Sequence, residues 1–339
     1  MDSDFQARVD LFIRNAETAH QSFKWQDSLN KRLSALLYAA DNRDYDAAAV
    51  EAALNCIKES TRFFSQFRGN TSLSIATMMA LAENPALLLQ NALDIYDRLK
   101  KAGFRSSDYL TIAAVLIAEH AHLNLNDLVK FDPDVVVIRA KAFYDGMHAA
   151  HWAITGQDDY IFAAMLALSD LKIEKGLQLI EELYLELKPD FWRKNSFHGL
   201  AQVLALAGNV PELTARLESL RQAFREVNLR LDGENTMTTL GVLALLPPEP
   251  AEIVAAVQSA CEYLRQHKRF GSWSVGKQEL LLYAASLFAF ESADQINRDV
   301  LKSTLTTSVA SIIIAQQTAA LIAVYTATTV AASASSSAN

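Results

Sequence analysis

The chain has 339 residues, 51% of them apolar and 21% charged, a balance that belongs to packed proteins and excludes a disordered one. Eleven glycines and seven prolines are too few for a strand-rich fold, which needs a tight turn about every eight to twelve residues. A formal net charge of −8 speaks against a surface that tracks nucleic-acid phosphates, because such affinity comes from clustered Lys and Arg.

In chain order, the opening MDSDFQARVD has no basic start and no apolar run, so no secretory signal is expected and the expected compartment is the cytoplasm. Phe5 to Tyr38 and a helix from Ala47 to Phe67 form a cap or an additional hairpin. Phe63, Phe64, Phe67 and Arg68 precede Gly69 and Asn70. They read as a helix end with a glycine stop, with a surface grip for a partner as the alternative.

From Asn70 onward one phrase recurs: a short polar residue, then an Ala-rich apolar helix. It appears as NTSLSIATMMALAENP from Asn70, SDYLTIAAVLIAEHA from Ser107, DDYIFAAMLALSDL from Asp158, NSFHGLAQVLALAGN from Asn195, NTMTTLGVLALLPPEP from Asn235 and KQELLLYAASLFAFES from Lys277. Steps of 36, 51, 38, 39 and 45 residues separate Leu81, Ile117, Leu168, Leu206, Leu245 and Phe290, intervals that suit helical hairpins with variable loops. A more amphipathic helix lies between the phrases. Two copies match closely, ALDIYDRL from Ala92 and AKAFYDGM from Ala140, which points to duplication. The expected fold is therefore all-α, with about six tandem hairpins stacked as an α-solenoid or α-α superhelix. A closed α/α toroid is the alternative.

The polar residues opening the buried helices, Asn70, Asp108, Asp159, Asn195 and Asn235, are strong N-cap types, and capping is their ordinary use. In a curled array those helix starts converge on one rim. Asp108, Tyr109, His148, His151, Asp159, Tyr160, Asn195 and Asn235 are then the candidate binding residues. His148 and His151, three apart with Asp145 before them, share a helix face as a metal pair would, but no spacing fixes a further ligand. The string GSWSVGKQ from Gly271 has the GxxxxGK frame of a phosphate loop; it lacks the following Ser or Thr and comes after a helix, so an interhelix loop is expected. The basic clusters at Arg98 to Arg105 and Arg265 to Arg269 end helices, where cations suit the dipole. Cys56 and Cys261 sit in apolar helical patterns and read as buried thiols. No catalytic residue is assigned, and no metal or cofactor is expected.

After Lys302 the chain carries no charge. Residues 1–302 are expected to form the repeat domain, 303–332 an uncharged helix and 333–339 a disordered tail. Val309 to Ala332 is long enough to span a bilayer, but Gln316 and Gln317 and the many Ser, Thr and Ala residues favour packing on the last hairpin or on another subunit.

The phrases LFIRNAETAHQSFKWQDSLNKRLSALLYA from Leu11, FRGN from Phe67, DDYIFAAMLALSD from Asp158 and IIIAQQTAALIA from Ile312 together resemble a bacterial family known as domain of unknown function 4003. The resemblance spans nearly the whole chain. It implies a bacterial cytoplasmic protein and supplies no activity or site residue. The expected function is a scaffold module that binds a protein, a peptide or its own copy, with neither nucleic acid nor membrane as its partner. An enzyme or small-molecule binder with a polar pocket at the helix starts is the second expectation, and membrane association through the C-terminal segment the third.

Overall fold

Hydrophobic residues are distributed in two ways along the helices, and that difference sorts them into two layers. Pro85–Lys101 buries Leu88, Leu89, Ala92, Ile95 and Leu99, a stripe at helical spacing, and leaves its other face wet. Asp159–Leu168 buries nine of its ten residues, so it has neighbours on every side. The computed structural model describes residues 1–123, 131–187, 194–206, 213–233 and 236–299. Among them are fourteen α-helices: α1 Ser3–Ser22, α2 Ser28–Ala40, α3 Ala47–Ser60, α4 Ser72–Leu81, α5 Pro85–Lys101, α6 Asp108–Leu123, α7 Pro133–Ala150, α8 Asp159–Leu168, α9 Ile173–Leu187, α10 Lys194–Leu206, α11 Leu213–Glu226, α12 Met237–Ala244, α13 Pro250–Arg265 and α14 Lys277–Asp299. Odd-numbered helices are the amphipathic outer ones and even-numbered helices the inner ones. The units number seven rather than six, because the opening segment is itself a hairpin, α1 with α2, and α3 pairs with α4.

Caps set the register of the outer layer. Pro85, Pro133 and Pro250 each occupy a first helical turn, where the missing N–H costs nothing. Asn84 and Asp46 accept hydrogen bonds from Leu87 N and Ala49 N. One device at the other helix end repeats with identical spacing. Arg139 of α7 donates to the carbonyls of Ala167, Ser169 and Leu171, which are 28, 30 and 32 residues further on. Arg216 of α11 donates to those of Ala244, Leu246 and Pro248 at the same three separations. Each guanidinium thus closes the carboxyl end of the inner helix in its own hairpin, where the last carbonyls lack partners. Arg8 of α1 does likewise at Ala39 and Ala40 of α2.

The duplicated segment keeps its setting. Ala92 and Ala140 are both buried, and the following Tyr96 and Tyr144 each lie edge-on or tilted against a Phe of the preceding connection, Phe67 and Phe104, at 5.5 Å.

Outer helices neighbour outer helices and inner neighbour inner: α6 packs on α8, α8 on α10, α10 on α12 and α12 on α14. Between α4 and α6 the 3-10 turn Gln66–Arg68 touches both. The two ends of the array then meet. Helix α14 packs on α1 and α2, and α13 on α1. Phe5 meets Phe288 edge to face at 5.5 Å, and Phe12 lies 5.1 Å from Phe270 and 5.3 Å from Tyr283. Arg8 is buried against Glu291 at 2.8 Å, Arg32 pairs with Glu279 at 2.9 Å and Arg269 with Glu17 at 2.7 Å. Stacked hairpins are as expected from the spacing. The contacts between the first and last hairpins are those that the closed-toroid alternative requires.

Candidate functional site

In this arrangement the described connections from an outer helix to its inner partner lie at one end of the ring, and neighbours among them touch. Gly69, in the α3–α4 connection, abuts Asp108 at the start of α6. Arg105 N donates to Tyr160 OH at the start of α8, 3.3 Å. Gly199 of α10 faces Thr238 of α12, and Gly233 faces Gln278 at the start of α14. Neighbouring inner-helix starts therefore touch for the described residues, but the residue roles differ from the cap expectation. Ser107, not Asp108, caps α6, its Oγ accepting from Leu110 N at 3.1 Å. Helix α4 begins at Ser72, so Asn70 precedes the cap position. Asp108 sits inside the first turn with its Oδ1 buried and without a hydrogen-bond partner among the described residues, and burial raises its carboxyl above the usual range. Tyr109 is pushed up by burial and then by Asp158, Asp108 and Asp159 nearby. Tyr160 is buried in an aromatic cluster with Phe104 and Tyr144.

Asp159 is not a cap either. Its Oδ2 accepts from Gly156 N at 2.8 Å, and its Oδ1 accepts from Gln202 Nε2 at 2.5 Å and faces His198 Nδ1 at 3.2 Å. Asp159 is 4% and His198 1% exposed, so this pair is enclosed between α8 and α10. Gln202 Nε2 also lies 2.8 Å from His198 Nδ1. Its second proton serves an unprotonated Nδ1, which places the ring proton on Nε2; if Nδ1 donates to Asp159 instead, Nε2 is a bare acceptor. In both tautomers His198 Nε2 is buried without a partner, as is Gln202 Oε1.

The predicted histidines part ways. His151 is bonded through Nε2 to Glu181 Oε2 at 2.5 Å and packs on Tyr184 and His198. His148 stacks on Tyr144, and Asp145 pairs with Lys141. The metal-like spacing of Asp145, His148 and His151 therefore does not bring them to one point. The side chain of Asn195, all of Asn235, and the segments 303–332 and 333–339 lie outside the described residues. No helix among the described residues is long and apolar enough to cross a membrane. Gly271 to Gly276 lies between helices, as expected of an interhelix loop, and Lys277 and Gln278 open α14.

What the sequence singled out least is the rim's outer edge. Trp25 (101% exposed), Phe63 (78%), Phe64 (93%), Trp152 (75%) and Trp273 (104%) all lie on outer-to-inner connections. The other exposed large apolar residues, Met1, Leu87, Val135, Ile138 and Leu185, are aliphatic and lie on outer helices or at the start of the chain. Charge follows the same polarity. Among the described residues, the outer-to-inner connections carry seven Lys or Arg against three Asp or Glu; the opposite connections carry two against seven. Of the grip considered at Phe63 to Arg68, Phe63 and Phe64 project while Phe67 is buried under Tyr96. Arg68 is spent on the carbonyls of Lys58 and Thr61.

A family described as Protein of unknown function (DUF4003) matches residues 15–318. No curated protein and no solved structure matches the chain.

Proposed function

We propose, from the premise that this chain belongs to the DUF4003 family, that it is a docking module whose working face is the inner-helix rim. One observation carries this: among the described residues, every fully projecting aromatic side chain stands on that rim. An exposed Trp forgoes the burial of about 150 to 250 Å² of surface, so a set of them on the connections at one end of a folded ring marks a surface that is covered in use. Photo-crosslinking residues placed at positions 25, 152 and 273 are expected to give adducts in cells. The same probe at Glu83 and Asp170, on the opposite end, is expected to give none. Equal adducts from both ends would end the proposal.

A second reading, a polar-ligand or enzyme site, is favoured by the unpartnered His198 Nε2 and Gln202 Oε1 beside Asp159. A small polar ligand that raises the melting temperature of the protein but not of its His198→Phe variant would support it. A histidine Nε2 whose nitrogen NMR signal shows only a bound water would remove it.

A further inference from the structure

We infer that the occupant of this rim is the surface of an anionic phospholipid bilayer, on which the ring lies peripherally; this rests on the rim being the working face. Three observations select a bilayer over a protein partner.

The first is how the aromatics are spread. Trp25, the Phe63–Phe64 pair, Trp152 and Trp273 stand on four separate connections. A protein hot spot gathers its aromatics centrally in packed pockets. Separate anchors around a rim suit a fluid surface that needs no matching shape.

The second is their isolation. Trp25 and Trp273 exceed nine-tenths exposure and make no ring contact with another described residue, and Phe63 and Phe64 touch one another edge to face at 5.1 Å. Side chains with an apolar body and, in Trp, one polar N–H are those enriched at the headgroup level of membranes.

The third is charge. A chain of net charge −8 is repelled by anionic lipid unless it presents a basic end, and exposed Lys24, Arg62, Arg105 and Lys268 stand, like the aromatics, on outer-to-inner connections. The acidic connections of the opposite end then face away, so the same charge distribution that attracts also orients. No spanning helix is required for such attachment.

The test uses the full chain, with vesicles of equal phosphatidylglycerol and phosphatidylcholine and vesicles of phosphatidylcholine alone. Expected are sedimentation with the first and a blue shift of tryptophan emission, weakened in 0.5 M salt as screening shortens. The Trp25→Ala/Trp273→Ala variant should bind about ten-fold or more weakly, and Lys24→Gln and Lys268→Gln about five-fold each. Asp170→Asn, at the far end, should bind no more weakly than the unaltered chain. Because both tryptophans are fully exposed, an unchanged circular dichroism melt separates lost binding from lost folding. Absent binding to the anionic vesicles, or binding undiminished in the double tryptophan variant, overturns the inference. In either case poly-L-glutamate decides the underlying reading. A tryptophan emission shift on its addition, lost in the double variant, leaves the rim as working face with an acidic polypeptide as occupant. No shift removes both.

Discussion

Asp159 shows how one side chain near a helix start is committed by its surroundings. A capping aspartate faces its own backbone; this one bonds Gly156 N and also reaches across to Gln202 and His198 of the next inner helix. Asp159→Ala leaves a donor on each of two elements unanswered in a buried place. A loss of about 2 to 4 kcal/mol in denaturant unfolding is expected, and a cost below about 0.5 kcal/mol would show the bonds to be incidental. Glu119, near the end of α6, makes a prediction that depends on pH. Burial, then Asp41, raise its carboxyl from 4.5 to about 7. The folded state therefore holds a proton that the unfolded chain releases, and its contribution is complete below pH 4.5 and declines as pH climbs through 7. Glu119→Gln should raise stability at pH 8 by up to about 3 kcal/mol and leave it nearly unchanged at pH 4. Equal effects at the two pH values would contradict the burial.

At the scale of elements, the hairpins were legible because their physics is local. The phrase repeated from Asn70 to Lys277 is apolar on all faces, the segments between are apolar on one, and that contrast alone separates inner from outer helices. Matched Ala92 and Ala140 announced equivalent packing, and the structure gives both the same aromatic neighbour. The arginine closures were not legible. Arg139 and Arg216 sit in outer helices whose sequences share little else, and their partners are backbone carbonyls, which leave no residue signature. His198 was likewise silent, since nothing near it in sequence indicates Asp159 on another helix. Trp25, Trp152 and Trp273 could have been noticed, for each falls in a segment between helical patterns, where a large apolar side chain has no local core to join. Two element-scale outcomes follow. Arg139→Ala should cost about 1.5 to 3 kcal/mol and raise amide exchange at the α8–α9 connection. Gly241→Ala places a methyl 2.5 Å from Leu200 Cδ1 where α12 meets α10, and should cost about 1 to 3 kcal/mol. A neutral result for the alanine at 241 would mean the two inner helices can move apart freely.

For the whole molecule, closure changes what kind of repeat protein this is. In an open array each unit is stabilised by its neighbours alone, the end units fray first, and stability is close to a sum along the chain. Here α1 and α14 are neighbours, and the joint between them is built from buried groups that cannot be exposed piecemeal. Arg8 stands at its centre, donating to Glu291 and to the carbonyls of Ala39 and Ala40, with Asp294 beside it. Removing one member of a buried ion pair costs about 3 to 5 kcal/mol, because its partner remains buried and charged. Arg8→Met should therefore be the most damaging of the changes considered, and its effect should not be confined to α1. If the ring is a mechanical whole, amide exchange must rise together in α1, α2 and α14, helices that lie at opposite ends of the sequence, while α6 and α8 across the ring keep their protection. A rise limited to α1 and α2 would mean that the last hairpin is held by its own neighbour α12, and that the seam adds contact without adding cooperativity.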